Sequence, residues 1–433
     1  MKRRVSSWGR ISADFHEVIE PTSVDRLSGM LRSTHPGLPL GAARSYGDCC
    51  LNPGGLLWST ARLDRFHSFD LSTGRLVCES GVLLQDIQRT FVPRGWSLPV
   101  VPGTQLVTVG GAIANDVHGK NHHLVGSFGR HVRRLRLVRT DGRIIDCAPD
   151  REEAWFAATV GGIGLTGLIA TADLQLHPVA GPWVDAEIVP FSGVAEFLSV
   201  SREAEASWEH TVAWLDCTTA RPVRGLLLRA SMASDQSGPI STPRRFSVPV
   251  TPPFSIFGRA TLPLLNQIYY RMNRSRRQSQ RYLAESFLFP LDGIGDWNRL
   301  YGPRGFYQYQ LVVPFGSAEA ALEEVLRTVA CSGEGSLLAV MKVFGDAASP
   351  GLLSFPMPGV TLSLDFPNLG SSTERLLSAL DSITLAVRGR VYLAKDARMT
   401  PRMFEEGYVR AHEFQSFRDP GISSAMSNRL MGR

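Results

Sequence analysis

Apolar and polar positions alternate along this chain with two periods, and each change of period marks an element. Between 168 and 176 the period is two. Leu168, Ala170, Ala172, Leu174 and Leu176 point one way, and Thr171, Asp173 and Gln175 the other. That is the pattern of a half-buried strand. Residues 76–82 read as a second strand. Over 132–139, Val132, Leu135 and Leu137 are interleaved with arginines; Asp141-Gly142 then supplies a hairpin turn, and Ile144-Ile145 starts the return strand. Residues 83–92 switch to the helical period, with Leu83, Leu84, Ile87 and Phe91 on one face, and Gly95 and Pro99 end the run. Pro178 and the Gly181-Pro182 pair close this glycine-dense part, which sets a domain boundary near 180.

Beyond it the spacings lengthen, aromatics become more frequent and glycines fewer. Residues 307–314, 338–344 and 360–366 read as strands, 317–330 and 373–388 as helices, and 390–395 as a last strand. That order suits a mixed sheet with helices on one face. The segment 252–281 stands apart: prolines and aromatics run into arginines at 271, 274, 276, 277 and 281. A mobile, solvated loop over 245–281 is one reading. A basic, partly apolar lid against a membrane or a lipid phosphate is the other.

At 433 residues the chain exceeds one ordinary core, so two domains, or one interrupted by another, are expected, with room for a bulky cofactor. A net charge of +6 favours an anionic ligand or surface but is too diffuse for nucleic acid. Six cysteines without a CxxC pair read as reduced thiols, buried for structural reasons, in a reducing compartment. The basic start MKRRVSSWGR has no apolar run behind it, and no run is long enough to span a bilayer. A cytoplasmic protein is expected, at most peripheral to the inner face of the plasma membrane.

Residues 162–167 spell GxGxxG, yet they lead into the strand 168–176 rather than a helix, which excludes a Rossmann site. Small residues recur at 41–48 and from Pro102-Gly103-Thr104 through 108–119. One glycine-rich turn is ordinary; three within about 130 residues suggest backbone nests whose free N–H groups hold an anion such as pyrophosphate.

These segments, with ATVGGIGLTG at 158–167, resemble the FAD-binding domain of the vanillyl-alcohol-oxidase, or PCMH-type, superfamily. ARSYGD (43–48), GGAIANDVHGKNHHLVGSFGRHV (110–132), QYQ (308–310), KVFG (342–345), DFP (365–367) and YLAKDAR (392–398) narrow the resemblance. They are similar to its family of polyprenylphosphoryl-pentose 2′-oxidases, the flavin halves of a 2′-epimerase system in cell-wall arabinan synthesis. The resemblance implies an α+β fold: a two-lobed FAD-binding domain from 1–182 and 390–433, with a mixed-sheet substrate domain, 183–389, inserted. It implies FAD, a lipid-linked sugar phosphate substrate, and a separate NAD(P)H-dependent ketoreductase as partner. Around FAD it places Ala43, Arg44, Ser45, Tyr46, Gly47, Asp48, Gly103, Thr108, Val109, Gly110, Gly111, Ala114, His118, Gly119, Gly164, Ile169 and Tyr392.

Oxidising a sugar hydroxyl at a flavin takes a hydride acceptor, a base and a positive group. By resemblance Lys395 faces flavin and substrate, as base or as electrostatic anchor; a surface lysine after a strand is the plain alternative. His118 would titrate near neutrality and relay the substrate proton, with Tyr46 sharing that role. Gln310, Lys342, Thr361 and Ser363 would line the substrate side, Ser363 standing where the family has a cysteine. The first loop has no histidine, so FAD is expected to be noncovalent. His118 and His122 have an HxxxH spacing, but Gly119 and Asn121 argue against a helix there and no carboxylates join them, so no metal is expected. Two other readings stand beside this one: an aldonolactone or alditol oxidase of the same superfamily, and a membrane-surface protein with a decayed flavin site.

Overall fold

A computed structural model describes residues 2–218, 222–238, 246–274 and 279–432. Four strands open the chain: β1 (Lys2–Ser6), β2 (Ala13–Ile19), β3 (Gly37–Leu40) and β4 (Leu56–Ser59), in the order β1-β2-β4-β3. Their inward side chains, among them Val18, Leu38 and Leu57, bury with Trp58. The last segment of the chain returns to this sheet. Gly37 N donates to the Gly421 carbonyl at 2.9 Å and Ala425 N to that of Leu51 at 2.7 Å.

A second, antiparallel sheet has β5 (Phe66–Asp70), β6 (Arg75–Glu79), β7 (Val132–Val138), β8 (Ile144–Cys147) and β9 (Leu168–Gln175), ordered β5-β6-β9-β7-β8. The strand after the GxGxxG run is thus central. It is buried on both faces rather than half-buried: Asp173 is only 5% exposed because Arg75 of β6 pairs with it, and helix α2 (Val109–Ala114) packs on the strand. Helix α1 (Leu84–Phe91) buries Leu84, Ile87 and Phe91, as its period requires.

The third sheet has β10 (Trp183–Ser192), β11 (His210–Leu215), β12 (Arg224–Met232), β13 (Gln280–Leu283), β14 (Phe306–Val313), β15 (Val340–Phe344), β16 (Gly359–Pro367) and β17 (Arg390–Val391). Their order is β13-β10-β12-β11-β15-β16-β14-β17. A mixed sheet was expected, yet every pair among the described residues is antiparallel. The cause is topological. Helix α3 (Gly193–Glu205) joins β10 to β11, and helix α4 (Ala318–Ser332) joins β14 to β15, but β12 and β16 slide between the two strands of each unit. The sheet is two split βαβ units side by side. The α+β architecture stands; the strand directions are corrected.

Side chains on this sheet alternate between two fates. Leu227, Ala213, Met341, Leu362, Leu364 and Leu311 join the core under α3, α4 and helix α5 (Ser371–Ala386). Their neighbours face a cavity on the other side.

Three further expectations change. The last strand stops at Val391, because Lys395 N and Asp396 N turn back to the Tyr392 carbonyl at 3.0 and 3.1 Å. The segment expected as a mobile loop contains a helix, Thr261–Asn273, and β13, whose Arg281 is tied to Asp185 and Asp235. Arg276 and Arg277 lie outside the described residues. Cys331 is exposed, whereas Cys49, Cys78, Cys147 and Cys217 are buried. Among the described residues no helix is long and apolar enough to cross a membrane.

Where the first and last segments meet, a Cβ added to Gly47 would lie 1.5 Å from the Asp396 carbonyl oxygen, a contact backbone cannot absorb. We expect Gly47→Ala to cost about 3 kcal/mol of stability, the upper end of an overpacking penalty. Gly29→Ala, in helix Leu27–Thr34 with open space around it, should instead add about 0.5–1 kcal/mol. Urea unfolding midpoints of the two variants, moving in opposite directions, check both.

Candidate active site

A cavity of about 840 Å³ runs from the glycine loops to the open face of the third sheet. Ala43, Arg44, Ser45, Tyr46, Gly103, Thr108, Gly110, Gly111, Ala114, His118, Gly119, Gly164, Ile169 and Tyr392 all line it. Gly47, Asp48 and Val109 do not. Gly47 is pressed on Asp396, Asp48 pairs with Arg429 at 2.8 Å, and Val109 is core. These three hold the loops in place from behind.

The cradle suits a long, polar, anionic ligand. A Cβ on Gly103 or Gly164 would meet no protein atom, so both face open space. Each of the three loops contains a non-glycine residue with positive φ: Ala43 at 51°, Asp116 at 39° and Ile163 at 48°. Such backbone persists only where its surroundings over-determine it. Buried Asp116 does this for the second loop, accepting from Gly129 N at 2.8 Å and from Ser354 Oγ at 2.5 Å. The supply of amides differs from the expectation of three equal nests. Val109 N and Gly110 N are spent on the carbonyls of Val82 and Ser80, and Gly111 N on the Thr108 hydroxyl that caps α2. The amides of Ala42, Ala43, Arg44 and Gly164 have no partner among the described residues. Ser80 Oγ, Asn115 Oδ1 and Arg44 Nε are likewise buried without one, and such atoms call for a ligand.

Beyond the glycines the cavity becomes basic. Lys395 Nζ stands 3.8 Å above the centre of the Tyr46 ring. The turn that replaced the last strand aims it there, since Tyr46 N donates to the Ala394 carbonyl at 3.0 Å. Burial pulls the Lys395 ammonium below its ordinary range, and the facing Asp365 carboxylate opposes this. Asp365 is itself pushed up by burial; Gln308 donates to one of its oxygens at 2.6 Å, and the other faces Tyr301 without a well-formed hydrogen bond. Burial holds Tyr46 well above the usual phenol range, so its hydroxyl stays protonated. Its ring is the platform on which the Lys395 ammonium rests.

His118 is corrected in the same way. Burial and then Lys342 hold its imidazole well below the usual range, so it is neutral at neutral pH and does not titrate there. Both ring nitrogens are engaged: Nδ1 with Lys342 Nζ at 3.0 Å and Nε2 with the Gln310 amide at 3.0 Å. The Gln310 amide presents its nitrogen, a donor, to Nε2. Thr361 lies behind Gln310, 3.1 Å from its amide, and supports it without lining the cavity. Lys342 also donates to the Gly119 carbonyl, and burial, then Lys395, pull it down to about 7.

Gln310, Lys342 and Ser363 line the cavity. Val340, Ser363 and Gln310 follow Trp214 in register across the sheet, and Ile188, Leu228 and Val212 form a second row. The face therefore grades from apolar on β10–β12 to polar and charged on β14–β16. The apolar row was missed in the sequence; alternation over 183–192 and 224–232 was its signal. Lys120 was missed too. It lines the cavity, donates to the carbonyls of Phe287 and Leu288, and is pulled to about 7 by burial and then Lys342.

A non-Rossmann glycine cradle opening onto buried lysines defines an FAD-dependent oxidoreductase of the vanillyl-alcohol-oxidase, PCMH-binding class. Residues 16–148 match the FAD binding domain family. The chain is 33% identical to the decaprenylphosphoryl-beta-D-ribose oxidase of Mycolicibacterium smegmatis, over 99% of this chain and 97% of that one. It is 32% identical to an uncharacterized Streptomyces coelicolor protein, over 81% of this chain and all of that one. It is 26% identical to mouse L-gulonolactone oxidase over 37% of each. The chain belongs to the decaprenylphosphoryl-beta-D-ribose oxidase family, and FAD is its cofactor. The unpartnered amides of the first loop and of Gly164, with Ser80 and Asn115, are the groups that fit FAD.

Gly103→Val should fill the cradle and spare the fold. Flavin released by acid precipitation should fall several-fold per chain with the urea midpoint unchanged; normal release would remove Gly103 from the FAD site, and flavin retained in the precipitate would refute noncovalent binding. Lys342 carries a pH signature. Its folded pKa, about 7, lies below the ordinary 10.5. Between these values the unfolded chain holds the proton and the folded one does not, so stability attributable to Lys342 rises with pH across that window. Relative to the parent, Lys342→Met should therefore gain most below pH 7 and lose this advantage as pH rises, read from paired thermal melts.

Proposed function

We propose that this chain oxidises the 2′-hydroxyl of a pentose carried on a polyprenyl phosphate to the 2′-ketone, the first half of an epimerisation. The observation that carries the reading is the graded sheet face. An apolar floor of Ile188, Leu228, Val212 and Trp214 runs without a break into Lys342, Ser363 and Gln310. Such a surface suits a ligand with a greasy end and a sugar-phosphate end. The Mycolicibacterium relative is named for a substrate of this kind.

When bound, FAD accepts the hydride that leaves the carbon as its hydroxyl becomes a carbonyl. The hydroxyl proton goes to the protein, and Lys395 is the group we assign to receive it. Burial makes its neutral amine accessible near neutral pH, and Asp365 steadies the ammonium that results. His118 fixes Lys342 and Gln310 in place, and Lys342 meets the substrate's phosphate. Residues 1–182 and 390–433 act as the FAD-binding unit around the inserted 183–389, with the FAD noncovalently held. A separate NAD(P)H-dependent ketoreductase completes the epimerisation. Because the substrate lives in a membrane, the protein works at the membrane surface.

The test is anaerobic bleaching of the bound flavin. A short-chain prenylphosphoryl pentose should bleach it, whereas free alditols and aldonolactones should not. Lys395→Ala should slow bleaching by about 10²-fold or more. Leu228→Glu should raise KM for the lipid-linked substrate about 10-fold, the worth of roughly 1.4 kcal/mol, with kcat nearly unchanged. Efficient bleaching by a free alditol, indifferent to Leu228→Glu, would establish the soluble sugar-oxidase reading instead.

A further inference from the structure

Helix Thr261–Asn273 is inside out. A surface helix of a soluble protein normally buries its apolar stripe and exposes its polar one. Here Leu264, Leu265, Ile268 and Met272, at i, i+1, i+4 and i+8, share one face within about 100°, and that face is solvent-exposed. Leu264 and Met272 are each 61% exposed and Ile268 46%. The inward side buries Leu262 and is otherwise held by polar contacts. Asn266, fully buried, donates to Asp216 at 2.9 Å, and the Tyr270 ring lies 4.7 Å under the Arg224 guanidinium. Phe254, 71% exposed, adds to the apolar surface just before the helix.

The charge around this face has one sign. From residue 236 to 284 the sequence contains no aspartate or glutamate, and Arg259, Arg271 and Arg274 are exposed on and beside the helix. Arg271 falls at the edge of the apolar stripe. A second copy of this chain is a poor occupant, because a two-fold contact sets each arginine rim against its own image. An anionic bilayer is complementary on both counts: headgroups for the arginines, and the acyl boundary for Leu264, Ile268 and Met272.

The helix also adjoins the cavity. Tyr269, beside the stripe, packs 4.7 Å from Trp214 at the apolar end of the graded sheet face, and both line the cavity with Asn273. We propose that this helix is a membrane-docking face that lies in the headgroup layer of an anionic bilayer and brings the apolar end of the cavity against it. The lipid tail of the substrate then passes from bilayer to cavity without crossing water; this last step rests on the function proposed above, while the docking does not.

The experiment is vesicle sedimentation of the full-length, FAD-loaded protein, with phosphatidylcholine vesicles made with and without phosphatidylglycerol. The parent should bind the anionic vesicles, release as salt is raised, and bind phosphatidylcholine alone several-fold less. Leu264→Glu/Ile268→Glu should lose binding at least ten-fold, and Arg271→Glu/Arg274→Glu should weaken it mainly at low salt. In both variants the urea midpoint and the flavin reduction rate with detergent-dispersed short-chain substrate should match the parent. Absence of binding by the parent, binding indifferent to both double variants, or a concentration-dependent dimer abolished by Leu264→Glu/Ile268→Glu would each overturn the proposal. Sedimentation does not depend on turnover, so a wrong substrate assignment leaves this result readable on its own.

Discussion

One backbone hydrogen bond, from Tyr46 N to the Ala394 carbonyl, fixes the centre of this molecule. It joins the first cradle loop to the turn after the last strand of the third sheet. The approach is so close that Gly47 has no room for a side chain beside Asp396. Behind the seam, Arg429 ties Asp48 to Asp396 and so brings in the C-terminal helix. The result in front is that Lys395 rests over the Tyr46 ring, where cofactor loops and substrate face meet. Had the strand continued to 395, as its residues alone suggest, the lysine's direction would have followed the pleat rather than the turn.

The same centre concentrates positive charge in a place that resists it. Lys120, Lys342 and Lys395 all line one cavity, and burial depresses each. Asp365 offsets only part of this. Such a site favours anions, because a bound negative group restores what desolvation took from the lysines. It also keeps His118 neutral, which turns an apparent proton relay into a fixed hydrogen-bonding post between Lys342 and Gln310.

The third sheet explains how one wall of the cavity comes to grade from apolar to charged. Two split βαβ units stand side by side, and three helices cover one face. The other face is left to the cavity, so alternate residues on each strand are core or site. In the second unit the helix before the last strand, α5, joins the covered face; the corresponding helix of the first unit, Thr261–Asn273, meets the cavity face instead, through Tyr269 and Trp214. Besides Leu262, what it turns to the protein is thereby mostly polar, and a stripe of its apolar side chains is turned outward.

The sequence by itself determined a good deal, wherever the information was local. The periods of 168–176 and 84–91, the strand that disqualified GxGxxG, and the motifs from ARSYGD to YLAKDAR are read within a few residues of themselves. They sufficed for the α+β class and for FAD, and most of the residues they pointed to line the cavity. What only the tertiary structure decided depends on distant partners. Whether Val109 N is free rests on Val82; whether His118 titrates rests on its burial and then on Lys342, more than two hundred residues away; whether Lys395 points to solvent or site rests on Tyr46. Strand direction was equally hidden, because β16 follows β15 in sequence yet chooses to lie between it and β14. Backbone amides and buried charges take their character from what is packed against them, and no run of neighbours along the chain records that.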